Sequence, residues 1–155
     1  MPNSISKTTY PAVSIGRRDH ARLKELARAA RADRHPVADF LLAEIRRAHV
    51  FEQGFEQGAP DTVVALDCRV TYRVDFGPVV TRRLAHPEDY QGEDKDVSIL
   101  SSLGAALIGL RGGDRMPYRD VLGTLHFVKV LHAGPPPPNS IRSSAGPFDP
   151  GPQAA

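Results

Sequence analysis

The sequence predicts an α+β protein: a short antiparallel helical hairpin, then a small antiparallel sheet that carries one brief helix. Three observations point there. Apolar residues recur at helical spacing between positions 17 and 48, alternate with polar ones from Cys68 to Val74, and give way to a Pro-, Gly- and Ser-rich stretch after position 134.

In the first pattern, Leu23, Leu26, Ala27 and Ala30 form one stripe, extending to about Arg34, and Val37, Leu41, Ile45 and Ala48 form another. Pro36 sits where a second helix can begin, because a first helical position loses nothing by lacking an N–H. Only a few residues separate the stripes, so an antiparallel hairpin over 14–50 with its stripes face to face is expected, preceded by a flexible segment, 1–13. Such arms are too short to hold without the rest of the chain.

FEQGFEQGAP is read as part of a joint, 51–61, and the body is expected over 62–133. There Cys68, Val70, Tyr72 and Val74 alternate with Arg69, Thr71, Arg73 and Asp75, as in a strand with one buried face. Gly77 and Pro78 turn the chain into a second strand, 79–84. An acidic loop, 86–96, leads to a third strand, 97–100, then a helix, 103–110, and a closing strand, 125–131. In that last strand apolar residues occupy both faces, and the inward one stays open. The tail, 134–155, is expected to be disordered.

A 155-residue chain with 41% hydrophobic and 25% charged residues can build a core, which excludes wholesale disorder. A lone cysteine, Cys68, forms no internal disulfide, and no signal or membrane-spanning stretch is visible, so a cytoplasmic protein without membrane contact is expected. Net charge is +2, yet residues 1–50 hold ten Lys/Arg against five Asp/Glu. That bias suits contact with nucleic acid or an acidic surface, and equally a solvated helix face.

Catalytic groups are not evident. The six histidines lack chelating spacing; His126 and His132, read as sharing a strand face, stand too far apart for one ion. LRGGD lacks the phosphate-loop spacing and lysine and follows a helix. It reads instead as a stop, with Gly109, Gly112 and Gly113 permitting a turn and Asp114 satisfying backbone donors. Cys68 is buried by its alternation. The acidic loop shows nothing that would desolvate a carboxylate pair. No catalytic residue, metal or cofactor is expected, and the chain reads as a binding protein.

SSLGAALIG from Ser101 to Gly109, followed by Gly113 and Asp114, resembles the C-terminal domain of the Gre transcript-cleavage factor family, whose pattern is Ser-Pro, an apolar run, Ala-Leu-Ile-Gly and then Gly-Asp. DTVVALDCRVTYR, RRLAHPED and LHFVKVL resemble that domain's strands. With the hairpin and PVADFLLAEIRRA in front, the stretch from about Val13 to Ala133 is most similar to the Rnk branch of this superfamily, called regulators of nucleoside diphosphate kinase.

The resemblance implies an FKBP-like sheet behind a coiled-coil hairpin. It also implies a partner: RNA polymerase, met at the secondary-channel rim near a coiled coil of the largest subunit. Carried over residue by residue, the docking loop is Leu100, Ser101, Ser102 and Leu103. Ser102 stands where the family commonly has proline, which would preset the loop and lower its ordering cost. The two serines also suit a helix cap, and both roles can coexist.

Cleavage-stimulating relatives bring an acidic hairpin tip to hold a magnesium ion, which needs carboxylates. Here the tip places Asp33 between Arg31 and Arg34, with His35 behind, and those cations repel a metal. A monomeric polymerase-binding regulator that competes with Gre factors without inducing cleavage is therefore expected. Other readings are a direct regulator of nucleoside diphosphate kinase, and a prolyl isomerase, which needs an aromatic-lined pocket from a chain with 6% aromatics.

Overall fold

The computed structural model describes residues 10–52 and 63–134. The tail from residue 135, most of the 51–61 joint and residues 1–9 lie outside them. Of the expected flexible N-terminus, residues 10–13 are described, and Val13 is packed into the core.

The first helical pattern forms α1 (Arg17–Ala32) and the second α2 (Ala38–Arg47). At ~1.5 Å per residue they are about 24 and 15 Å long. α1 stops two residues before Arg34 because that residue takes φ 58, and the reversed chain lets His35 N–H donate to the Ala30 carbonyl at 2.8 Å. Pro36 precedes α2 without joining it. His35 serves the same turn, its Nδ1 accepting from Val37 N–H at 3.1 Å.

Two strands too short to show alternation escaped the sequence reading. β1 (Ser14–Gly16) leads into α1, and β2 (His49–Phe51) leaves α2 to pair with it in parallel. Their register is extended by His49 N–H donating to the Val13 carbonyl at 2.8 Å, and Arg17 meets Glu52 at 2.7 Å across the base.

The body is a five-stranded sheet in the order β5-β4-β3-β7-β6, built from β3 (Arg69–Val74), β4 (Val79–Ala85), β5 (Asp96–Ser98), β6 (Arg115–Arg119) and β7 (Leu125–Gly134). It departs from the expected antiparallel sheet in one place: β5 runs parallel to β4. Arg83 of β4 fixes that pairing by donating twice to Asp96, at 3.0 Å each, and Gln91 N–H adds a third bond to the same carboxylate at 2.7 Å. β6 was missed because Pro117 interrupts it. At an edge position its lost donor costs no ladder bond.

In β7 the inward face belongs to Val128 and Val130, both fully buried. A bulge opposite Thr71 and Tyr72 then shifts the register, so His132 pairs with outward-facing Thr71 while His126 sits on the inner side beside Tyr118. The two histidines therefore lie on opposite faces, correcting the shared face expected from simple alternation.

α3 (Ser102–Leu107) is shorter than the expected 103–110. Ile108 and Gly109 instead form a turn, closed by Leu110 N–H on the Leu107 carbonyl at 3.2 Å with Gly109 at φ +81, and the turn exchanges bonds with Val64: Gly109 N–H to its carbonyl and Val64 N–H to the Leu110 carbonyl, both 2.8 Å. As the sequence suggested, Gly113 takes a positive φ and Asp114 accepts Arg111 N–H at 2.8 Å.

The hairpin does not stand clear of this body. Leu23, Ala27, Val37, Leu41 and Ile45 share one buried cluster with Leu84, Ile99, Leu107, Met116 and Val130. The helical stripes thus face the sheet domain as well as each other, which supplies the burial that such short helices lack alone. Buried Asp19 ties the two parts: its carboxylate accepts Leu66 N–H at 3.2 Å, and burial pushes its pKa up.

Candidate docking surface

The 100–103 loop grows from the end of β5. Ile99, fully buried, bonds Ala85 through its N–H at 2.9 Å and pins the loop's base. Two serine hydroxyls then brace the turn. Ser98 Oγ accepts Leu100 N–H at 3.1 Å, and Ser101 Oγ donates to the Ser98 carbonyl at 2.6 Å while accepting Gly104 N–H at 3.0 Å.

Ser101 is therefore the N-cap of α3, with extended backbone at φ −110, ψ 159. Ser98, which the sequence reading passed over, is the second brace; its signal is a serine three positions before the cap.

Glycine is required within this helix and just past its end. A Cβ on Gly104 would collide with the Ser98 carbonyl, and one on Gly109 would collide with the Val13 side chain where β1 crosses, a point fixed by Ser14 N–H donating to the Gly109 carbonyl at 3.0 Å. The Leu-Gly-Ala-Ala-Leu-Ile-Gly block is ordered by these two close approaches. What emerges is a loop whose backbone is tied down, with Leu100, Ser101, Ser102 and Leu103 half-buried at the surface and the two leucines packed against the core.

Arg31, Asp33 and Arg34 are exposed at the α1–α2 turn, and His35 is half-buried in its capping role. Arg31 lies 3.7 Å from Asp39, a partner on α2. The turn and the loop are not remote from each other. A cleft of about 440 Å³ is lined by Pro36, Val37 and Phe40 on one side and by Ser102, Tyr118 and Leu125 on the other, with Tyr10 and the 119–121 stretch at its edge. Three of the chain's ten Tyr and Phe residues line that cleft, so low aromatic content does not preclude an aromatic-lined pocket. Its members lie far apart in sequence, which is why no local pattern announced it.

Beside the cleft, His126 sits between two carboxylates, with Nδ1 2.7 Å from Asp75 and Nε2 2.8 Å from Asp120. Hydrogen bonding to Asp75 and then Asp120 raises the imidazole's pKa, and the same bonds lower both carboxylates. This clamp joins the β3–β4 turn to the β6–β7 turn. Burial, with help from Asp75, pushes the Tyr118 phenol up to about 12, so it stays protonated.

Among the described residues no helix is long and apolar enough to cross a membrane.

Comparison with known proteins places this geometry. Residues 11–50 match the family model described as Rnk N-terminus. Over 97 residues the chain is 33% identical to the "Regulator of nucleoside diphosphate kinase" of Escherichia coli K12, covering 62% of this chain and 69% of that protein. The protein of the same name from Shigella flexneri matches to the same extent, 33% over 97 residues and the same shares of each chain, 62% and 69%. Among solved structures, the prokaryotic transcription elongation factor GreA/GreB from Nitrosomonas europaea superposes with a TM-score of 0.62 at 28% identity, covering 79% of this chain and 99% of that one.

Proposed function

Since the chain belongs to the Rnk family of regulators of nucleoside diphosphate kinase and shares the fold of a GreA/GreB elongation factor, we propose that it is an RNA polymerase-binding transcription regulator. In this reading the 14–50 hairpin and the 62–133 body form one docking unit. The 100–103 loop seats on the rim of the secondary channel, near a coiled coil of the largest subunit, and competes there with Gre factors.

The observation that carries the reading is the braced loop. Leu100 and Leu103 are half-buried, packed against the core on one side, on a turn whose backbone is held at Ser98, Ser101 and Ile99. A preorganised edge gives up little entropy on association, so a short loop can contribute usefully to binding.

The hairpin supports the second half of the proposal, that docking does not stimulate transcript cleavage. Its stripes are committed to the body's core, and its turn exposes Asp33 beside Arg31 and Arg34. A magnesium ion needs oxygen donors and charge compensation, and that turn offers more positive charge than negative.

The deciding experiment is capture of separately purified RNA polymerase and nucleoside diphosphate kinase by the immobilised chain. Retention of polymerase alone supports the proposal. Retention of kinase alone transfers the activity to a direct kinase regulator, the reading favoured by the relatives' name.

A further inference from the structure

The outer face of the sheet, turned away from the core, carries a row of cations that the fold does not neutralise. Arg115 on β6 is paired directly with Lys129 on β7, and Lys129 with Arg73 on β3. All three are exposed. Directly opposed side chains on adjacent strands stand about 5 Å apart, a distance at which like charges destabilise a sheet.

Among the described residues, none of the three has a carboxylate within ion-pair distance, and the outward positions of β3, β4, β6 and β7 hold no acidic residue. Arg69 and Arg119 extend the positive surface along the flanking positions of the same face. The Arg115 guanidinium carbon lies over the Phe127 ring, 4.2 Å from its centroid. Folding sets this repulsion up and does not relieve it internally, so an anionic partner has a specific gain to make.

A second feature narrows the anion. Phe76 lies three residues past Arg73 and is 95% exposed. Its backbone is not loose: the preceding Asp75 is clamped by His126 and accepts Phe127 N–H at 2.9 Å. A cationic row on the strands, followed three residues past Arg73 by an exposed aromatic ring on the β3–β4 turn, combines charge for a phosphodiester backbone with a surface on which an unpaired base can stack. A duplex, whose bases are already stacked, uses only the first.

We propose that this sheet face binds single-stranded nucleic acid, with Arg73, Lys129 and Arg115 on successive phosphates and Phe76 under a base. The site is separate from the 100–103 loop and from the arginines of the hairpin, and it does not depend on the polymerase reading.

The test is fluorescence anisotropy of the full chain with a fluorescein-labelled oligouridylate over a series of KCl concentrations. Salt-dependent binding is expected. The R73Q/K129Q double variant should bind about tenfold more weakly, with the slope of log affinity against log salt reduced by about 1.4, near 0.7 for each single-strand phosphate that is no longer neutralised. F76A should lose about fivefold with its slope unchanged. R28Q/R46Q, which removes two hairpin cations, should bind as the wild type does. Relief of cross-strand repulsion should leave R73Q/K129Q melting at or above the wild-type temperature, so its loss of binding cannot be ascribed to unfolding.

Three results would overturn the proposal. One is no binding of the probe by the wild type. Another is an unchanged R73Q/K129Q with the loss appearing in R28Q/R46Q, which would move the site to the hairpin. The third is absence of probe binding together with weakened polymerase capture by R73Q/K129Q, which would make the partner an acidic protein surface.

Discussion

His126 Nδ1 lies 2.7 Å from the Asp75 carboxylate, and this bond joins β7 to the β3–β4 turn, 51 residues away in sequence. With Asp120 on the other ring nitrogen, the imidazole is held between two negative groups. Its pKa is raised by the bonds to Asp75 and Asp120, so the charged form contributes stability that is fully present below the ordinary histidine value of about 6.5 and is lost as pH rises through the higher native value.

The two aspartates act in the opposite sense. Their pKa values are lowered, first by the bond to His126, so their share is present above the ordinary carboxylate range and is lost as pH falls through the native values. Melting temperature should therefore peak on the mildly acidic side of neutrality and decline toward alkaline pH. H126Q should lower that peak and flatten the alkaline decline. An unchanged profile in H126Q would show that the clamp does not act in stability.

Gly104 is predicted to be irreplaceable for steric reasons. G104A places a methyl group against the Ser98 carbonyl at the brace of the loop, and backbone cannot retreat as a flexible side chain can. Urea unfolding should show a loss of about 1–3 kcal/mol, the range for overpacking. Gly113 has open space around its Cβ position and only its φ of +96 to satisfy, so G113A should cost about 1–2 kcal/mol.

Arg83 and Asp96 form the sheet's best-enclosed ion pair, with side chains 17% and 3% exposed. Arg83→Met would leave a buried carboxylate with Gln91 N–H as its remaining close donor. Removing one partner of a buried pair costs about 3–5 kcal/mol, so chemical denaturation should reveal a loss near the lower end, given the partial exposure of Arg83. The double variant R83M/D96L should recover most of it.

Ser102 occupies the first position of α3, where an N–H has no intrahelical acceptor, and the preceding Ser101 already has the extended backbone that a following proline demands. Ser102→Pro is therefore expected to fit, to raise stability by up to about 1 kcal/mol, and to tighten polymerase docking by restricting the free loop. A loss of stability in S102P, measured by thermal unfolding, would show that the braced geometry is not the one used.

Legibility in the sequence followed periodicity and length. The stripes Leu23–Ala27–Ala30 and Val37–Leu41–Ile45, and the alternation through Val70 and Tyr72, are strong local signals, and those residues are buried. β1 and β2 span only three residues each, β6 is masked by Pro117, and the bulge in β7 breaks the alternation that placed His132. The cleft, the His126 clamp and the cation row are assembled by strand register from residues that carry no common motif. The loop itself was visible as a motif, but its second brace, Ser98, was not, because a hydroxyl's partner is set by the turn geometry.

The most direct measurement is displacement of a fluorescently labelled Gre factor from purified RNA polymerase by the full chain, read together with the length of the nascent RNA in stalled complexes. Docking through the braced loop predicts displacement by the wild-type chain, at least tenfold weaker displacement by Leu100→Asp, and transcripts that keep their length. A chain that leaves the Gre factor in place, or one that shortens the transcript, would contradict it.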